Sequence, residues 1–454
     1  MAESWSSSVD AHLDWDPGSG RTGIAAAVRA AIRDGRWRPG AVVPSTRALA
    51  HDLGVARGTV TRVYADLAAE GYLQTSQGAP TRVATAGASP QSAPPMPAAE
   101  PAHRWSFLPG RPDPSMFPRD QWLAATRRVL ANAPNQVFDY SEARGSSVLR
   151  ATLSAYLGRS RGVLADPARL VVFSGYGHAI HVLGRALRGL GIAETAFEDP
   201  SLGKYRDICA ASGQRIVGVP VDGAGLVVSE LDSPAAVVTP AHQFPLGVTM
   251  APARRTALVD SGAVVVEDDY DGEFRFDRQQ VGALQALAPE RVVYAGTASK
   301  SLAPSLRLAW LVLPRFLVDP VVAALHELGA HPPLLPQLAL ADLISSGAYD
   351  RHVRRCRLEY RARRDRLVAA LPAHLTPEGI SAGLHLVLRL PSAAAAAVPA
   401  AARRHSVGVE LLSPMWLRPV AEPGGLVVGY GATARNAFTP ALAALVEMLT
   451  ELSP

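Results

Sequence analysis

Lys300 sits in Gly-Thr-Ala-Ser-Lys-Ser-Leu-Ala-Pro-Ser-Leu-Arg, residues 296–307, and is one of only two lysines in a chain with 43 arginines. Arginine serves wherever a fixed positive charge is enough. Only lysine can shed its proton and attack a carbonyl as an amine. Ser299 precedes this lysine and Arg307 follows seven residues later. Upstream, Val264-Val265-Val266-Glu267-Asp268-Asp269-Tyr270-Asp271 reads as a buried strand that ends in acids and a phenol. Farther upstream, Leu170-Val171-Val172-Phe173-Ser174-Gly175-Tyr176-Gly177-His178 reads as a strand, a glycine turn and a helix with Ile180, Leu183 and Leu187 on one face. Free amides at such a helix start bind phosphate. In this order the residues suit one chemistry, a Schiff base between Lys300 and pyridoxal 5'-phosphate (PLP). Asp268 would keep the pyridine nitrogen protonated and Tyr270 would face the ring oxygen. Hydroxyls and Arg307 would cradle the phosphate. A calcium loop from Asp269-x-Asp271-Gly272 fails, because its twelfth position is Gln280 rather than Glu.

At 454 residues the chain is too long for one ordinary domain, and 48% apolar residues suffice for large cores. No uncharged apolar run reaches about 18 residues, so no membrane span is expected. The start, Met-Ala-Glu-Ser-Trp, lacks the basic and apolar regions of a secretory signal. The two cysteines, Cys209 and Cys356, argue against a disulfide framework and fit a reducing cytoplasm. No Cys/His cluster has zinc spacing, and no internal repeat is evident. Thr85 to His103 is rich in Ala, Pro and Ser and reads as an extended linker. Arg351 to Arg366 carries eight arginines on an expected helix, most simply a solvated face and alternatively a phosphate-contacting patch.

Charge is uneven. Residues 21–82 hold nine arginines and four acids, an excess of +5 that equals that of the whole chain. A basic module beside a neutral body is the footprint of nucleic-acid binding. Ile24, Val28, Ala31 and Ile32 have helical spacing. Ser45 is a candidate N-cap for a second helix carrying Leu49, Ala50 and Leu53. After Gly54, Val60, Val63, Tyr64 and Leu67 mark one face of a third helix. Two short strands follow, around Gln77-Gly78-Ala79-Pro80. This is a helix-turn-helix with a wing. Its third helix would present Arg57, Thr59 and Thr61 to base edges in the major groove of a double-stranded DNA operator. Arg47 and Arg62 would meet phosphates, and Gln77 and Gly78 at the wing tip would reach a minor groove.

Pro44-Ser45-Thr46-Arg47-x-Leu49-Ala50, Leu53-Gly54-Val55-Ala56-Arg57-Gly58-Thr59-Val60 and Gly71-Tyr72-Leu73 resemble the GntR winged-helix family. From Phe107 onward the chain resembles the fold-type I aminotransferases. Val238-Thr239-Pro240-Ala241-His242-Gln243-Phe244-Pro245-Leu246-Gly247-Val248-Thr249-Met250, Glu267 to Arg275, and Gly110-x-Pro112-Asp113 with Phe117-Pro118 resemble the MocR subfamily of GntR transcription regulators. The resemblance implies a winged helix-turn-helix domain (1–84, mainly α with a β-wing), a linker (85–105) and an α/β fold-type I aminotransferase-like, PLP-binding effector domain (106–454). It implies that Lys300 carries the cofactor, with Asp268 at the pyridine nitrogen and Tyr270 at the ring oxygen. Gly175, Tyr176, Ser299 and Arg307 would lie at the phosphate, and Gln243 or His242 near the ring face. Tyr140 would reach the phosphate site of the partner subunit in a domain-swapped homodimer.

Two departures stand out. Relatives place an aromatic where this chain has Leu202, in Asp199-Pro200-Ser201-Leu202, and Tyr205 is the nearest substitute. Aminotransferases clamp a substrate carboxylate with an arginine near the C-terminus. Gly424 to Tyr430 has none, and Arg418 and Arg435 are the nearest. The expected function is therefore transcription regulation in response to PLP, or to an amino acid or amine that reacts with it, in the cytoplasm. The alternative is a working aminotransferase with an accessory DNA-binding domain. Sustained keto-acid production would separate the two.

Overall fold

The computed structural model describes residues 13–76, 78–85, 103–140, 142–276, 281–329, 331–421 and 424–452. The chain divides into two compact units, Met1–Pro101 and Ala102–Pro454. Most of the expected linker, and Gln77, lie outside the described residues.

In the first unit, α1 (Gly20–Arg33), α2 (Thr46–Asp52) and α3 (Arg57–Ala69) precede an antiparallel pair, β1 (Leu73–Gln74) and β2 (Arg82–Val83). The apolar positions read from the sequence are the ones buried. Ile24, Val28, Ala31 and Ile32 of α1 meet Leu49 and Ala50 of α2 and Val60, Val63, Tyr64 and Leu67 of α3, all around the buried Trp37. Ser45 caps α2, its hydroxyl accepting from the Ala48 amide at 3.1 Å. The buried Tyr64 hydroxyl donates to the Pro44 carbonyl at 2.8 Å, which ties α3 to the start of α2. A wing follows three helices here because Gly71, at φ 79°, ends α3 in a conformation that disfavours other residues.

The second unit begins with β3 (Trp105–Ser106), α4 (Arg119–Asn132), α5 (Ser147–Arg161), β4 (Leu170–Phe173), α6 (Tyr176–Gly189), β5 (Glu194–Asp199) and α7 (Gly203–Ala211). It continues through β6 (Arg215–Asp222), β7 (Gly225–Leu226), β8 (Ala235–Val238), α8 (Pro252–Asp260), β9 (Val264–Asp269), β10 (Val292–Thr297) and β11 (Ala309–Val312). Then come α9 (Arg315–Glu327), α10 (Leu334–Ser345), α11 (Ala348–Ala370), β12 (Pro377–Glu378) and β13 (His385–Leu388). The last elements are α12 (Ser392–His405), β14 (Val407–Gly408), β15 (Glu410–Leu411), β16 (Leu426–Gly429) and α13 (Phe438–Glu451).

Among the described residues, eight strands form one sheet in the order β4-β11-β10-β9-β8-β5-β6-β7. Strands β6, β5, β8, β9 and β10 run parallel, and β11 is antiparallel to both β10 and β4. The carboxyl ends of β4, β5, β8, β9 and β10 therefore share one edge, where open α/β sheets bind ligands. Alternation along β4 shows the layers. Val171 and Phe173 pack with α6 and α9, whereas Leu170 and Val172 pack with α5 and α10. With both faces covered, the strands read as continuous apolar runs. A second, antiparallel sheet, β12-β13-β16-β15, packs on α11, α12 and α13. No helix among the described residues is long and apolar enough to cross a membrane.

Candidate functional site

A pocket of about 700 Å³ opens along the carboxyl edge of the large sheet, wholly within the second unit. Lys300 follows β10 and lines it. Its Nζ donates to the Gly110 carbonyl at 2.6 Å. Burial lowers the Lys300 pKa, while Asp268 and Asp271 pull it upward and Arg111 and Lys204 push it down further. The balance moves the ammonium toward the neutral amine that nucleophilic chemistry needs.

Strand alternation picks one acid from Glu267-Asp268-Asp269. Glu267 accepts the Leu284 and Gln285 amides at 2.7 and 2.9 Å. Asp269 is tied to Arg161 at 2.6 and 3.0 Å and to the Tyr294 hydroxyl at 2.8 Å. Asp268, between them, points to the other face and lines the pocket. Burial pushes its carboxyl up to about 7, against the lowering influence of Tyr176 and Lys300. The buried Tyr176 phenol lies close enough to Asp268 for each to shift the other's titration.

The opposite wall is a cradle. Gly175, at φ 91°, precedes α6, and a Cβ there would sit 2.8 Å from Arg307 Cζ. Arg307 itself holds a left-handed conformation, φ 53°, which is uncommon for a side-chain-bearing residue. It has no acid partner among the described residues. The Ser299 and Thr297 hydroxyls meet at 2.9 Å beside it in the pocket wall. Backbone at a helix start, hydroxyls and an unpaired guanidinium together make a fit for a phosphate group.

Tyr270 also lines the pocket and donates to the His242 carbonyl at 3.1 Å. His242 Nδ1 lies 2.8 Å from Asp271 and 3.1 Å from the Tyr270 hydroxyl, so it braces the phenol from behind. Neither His242 nor Gln243 is in the pocket wall. The Gln243 amide donates to the Pro200 and Phe244 carbonyls at 2.9 and 2.8 Å, and Phe244 takes the wall position. Leu202 and Tyr205 both line the pocket, and Tyr205 stands edge-on to Tyr176 with ring centroids 4.7 Å apart. Tyr140 is fully exposed in the single chain and away from its own pocket wall.

Sequence reasoning missed Arg111, Lys204, Glu198 and Glu410, all in the wall. Arg418 pairs with Asp199 and Glu230 at 3.5 and 3.3 Å, and Arg435 pairs with Glu359 at 3.4 Å, so neither enters the pocket. Arg111 and Lys204 supply the positive charge instead. Lys204 is the second lysine of the chain, and its rarity was the available signal.

In the first unit, the acids at the C-terminal half of α3 are neutralised by α1. Glu70 takes two bonds from Arg29 at 2.8 and 2.6 Å, and Asp66 faces Arg21 at 3.6 Å. Arg47, Arg57 and Arg62 are exposed and have no acid partner among the described residues. Arg57 Nε donates to Thr46 Oγ1 at 3.4 Å, which leaves its terminal nitrogens free. The Thr61 hydroxyl donates to the Arg57 carbonyl at 3.0 Å, so only its oxygen remains to accept. Thr59 is half-buried, and Gly78 makes the wing turn at φ 80°.

Residues 21–83 match the gntR family of bacterial regulatory proteins, and residues 112–418 match aminotransferase class I and II. The chain is 36% identical to the probable rhizopine catabolism regulatory protein MocR of Rhizobium meliloti, over 81% of this chain and 80% of that one. It is 31% identical to the pyridoxine biosynthesis transcriptional regulator PdxR of Corynebacterium glutamicum, over 92% and 93%. Among solved structures, an archaeal alanine:glyoxylate aminotransferase shares the fold of 76% of this chain and 91% of its own, with TM-score 0.70 at 23% identity. The α-aminoadipate aminotransferase LysN of Thermus thermophilus covers 77% and 92%, with TM-score 0.68 at 24% identity. The chain belongs to the MocR-type helix-turn-helix transcription regulators of the gntR family, in which a DNA-binding unit is joined to an aminotransferase-like domain.

Proposed function

We propose that this regulator binds PLP in the pocket of its second unit and uses it to sense an amino acid or amine. Gly175, Tyr176, Ser299 and Arg307 hold the phosphate, Asp268 faces the ring nitrogen and Tyr270 the ring oxygen. PLP, when bound, supplies a carbonyl for amines and an electron sink. Lys300 offers the amine, and its lowered pKa keeps that amine available. Asp268, raised to about 7 by burial, gains an ionic partner when a protonated ring nitrogen faces it. Arg111 and Lys204 face the remaining space and orient the anionic part of an effector, while Leu202 and Tyr205 exclude water from one side. The reading extends to a domain-swapped homodimer, in which Tyr140 serves the neighbouring pocket and two readers meet paired half-sites. Within each reader, Arg57, Thr59 and Thr61 face bases, and Arg47 and Arg62 face phosphates. Gly78 turns the wing tip.

The observation that carries this reading is the pairing of two features in one chain. The reading helix keeps its free arginines at one end and neutralised acids at the other. The pocket brings Lys300, Asp268, Tyr270, Ser299 and Arg307 together without an arginine from the C-terminal segment. A sensor needs only different affinities for its ligand in two conformations, whereas an enzyme must also release product repeatedly. The test measures operator affinity of the full chain with and without PLP and candidate amino acids, alongside keto-acid formation. Regulation gives effector-dependent affinity with no sustained turnover. Sustained turnover with unchanged operator affinity would make the protein an aminotransferase with an accessory reader.

A further inference from the structure

Outside the cofactor pocket, the second unit carries an open surface groove of about 810 Å³. It is walled by Arg119 at the start of α4, by Arg351, Arg354 and Arg355 on α11, and by Arg435 ahead of α13. Two acids share it, Asp120 and Glu359. Glu359 is already committed, to the buried Arg363 at 2.9 Å and to Arg435 at 3.4 Å. Arg363 is in turn held by the buried Asp113 at 2.7 Å, so these four groups form a neutral cluster. Among the described residues of the wall, Asp120 is the acid that remains for the other four arginines.

Those arginines are positioned without being neutralised. Arg355 donates to the Met116 carbonyl at 3.1 Å, and Arg351 reaches the Ser346 carbonyl at 3.5 Å. Carbonyls orient a guanidinium but leave its charge in place. Arg354 and Arg119 make no side-chain hydrogen bond or ion pair among the described residues. Positions 351, 354 and 355 lie on one helical face, where like charges repel. A polyanion laid in the groove reverses that repulsion. Guanidinium forks match phosphate oxygens in pairs.

We propose that this groove binds the phosphate backbone of duplex DNA flanking the site that the first unit reads. The inference rests on the DNA-binding reading above. The un-neutralised cations come from two elements, α4 and α11, along an open groove, which follows a strand of phosphates better than it encloses one small ion. Contacts of this kind add affinity and salt dependence but no sequence preference.

The test uses the full chain carrying both Arg351→Gln and Arg354→Gln, two exposed positions outside the cofactor pocket. A duplex selected by the wild-type protein is prepared in two lengths, trimmed to the reader's footprint and extended beyond it. Each phosphate contact contributes a slope of about 0.9 to the fall of log affinity with log salt. On the long duplex the double variant should lose about 1.8 from that slope. Raising salt from about 50 to about 200 mM then costs the wild type roughly tenfold more affinity than the variant. On the trimmed duplex the two should coincide. Equal slopes on the long duplex, or an equal loss on both lengths, would overturn the assignment. Inorganic phosphate replacing chloride at fixed ionic strength should leave the difference unchanged. If phosphate selectively weakens the wild type, the groove is a free-anion site and the DNA assignment falls. A wild type that binds no duplex removes the DNA-binding reading itself.

Discussion

Asp268→Asn should make the cofactor-free protein more stable while making it a poorer PLP binder. Burial lifts the Asp268 carboxyl from 3.8 to about 7, so the folded apoprotein holds that proton far more tightly than the unfolded chain does. The sign follows directly. Below the unfolded value both states are protonated and the group has no effect. As pH rises toward 7 the unfolded chain ionises freely and the folded one cannot, so wild-type stability falls through this window. The full shift corresponds to roughly 4 kcal/mol. Asp268 opens on pocket water, and screening there reduces the expected penalty to about 2 kcal/mol at pH 8. Asparagine cannot ionise and escapes the penalty. Urea unfolding of the apoproteins should therefore place the variant's midpoint above wild type at pH 8 and level with it near pH 4. Added PLP should reverse the order at pH 8, because only the carboxylate can pair with a protonated ring nitrogen. A variant no more stable than wild type at pH 8, or a difference that ignores pH, would refute the claim that Asp268 is a strained, ligand-poised acid.

Lys300→Ala should abolish the long-wavelength absorbance of bound PLP while leaving the unfolding midpoint of the apoprotein within about 1 kcal/mol, since one bond to the Gly110 carbonyl is lost. A persisting band in the purified variant would shift the role to Lys204. Gly175→Ala puts a methyl 2.8 Å from Arg307 Cζ at a φ of 91°, so PLP affinity, read by fluorescence titration, should fall at least about tenfold. Unchanged affinity would remove the Gly175–Arg307 cradle from the phosphate. Arg57→Ala should cost roughly 1–3 kcal/mol on the operator and relax preference at one base pair. Arg47→Ala should weaken all sequences alike and flatten the salt slope, and a salt titration on matched and mismatched duplexes separates the two.

The sequence by itself determined the elements and named the candidate anchors. Helical spacing placed Ile24, Val28, Val60 and Val63 on faces that are buried, and Ser45 at a helix cap, because periodicity and capping are local properties. The scarcity of lysine singled out Lys300, and a strand ending in acids singled out the segment holding Asp268. The tertiary structure alone decided which groups share the pocket. His242 and Gln243 are adjacent to the wall in sequence, yet both spend their hydrogen bonds bracing it, and Phe244 faces inward. Arg111, Lys204 and Glu410 come from segments about 90 to 300 residues apart, and no local pattern couples them. The eight arginines of 351–366 look alike in sequence. Packing buries Arg363 against Asp113 and leaves Arg351 and Arg354 at an open groove. Local patterns are set by steric and hydrogen-bond rules within a few residues, whereas charge compensation and burial depend on which distant segments the sheet brings to its carboxyl edge.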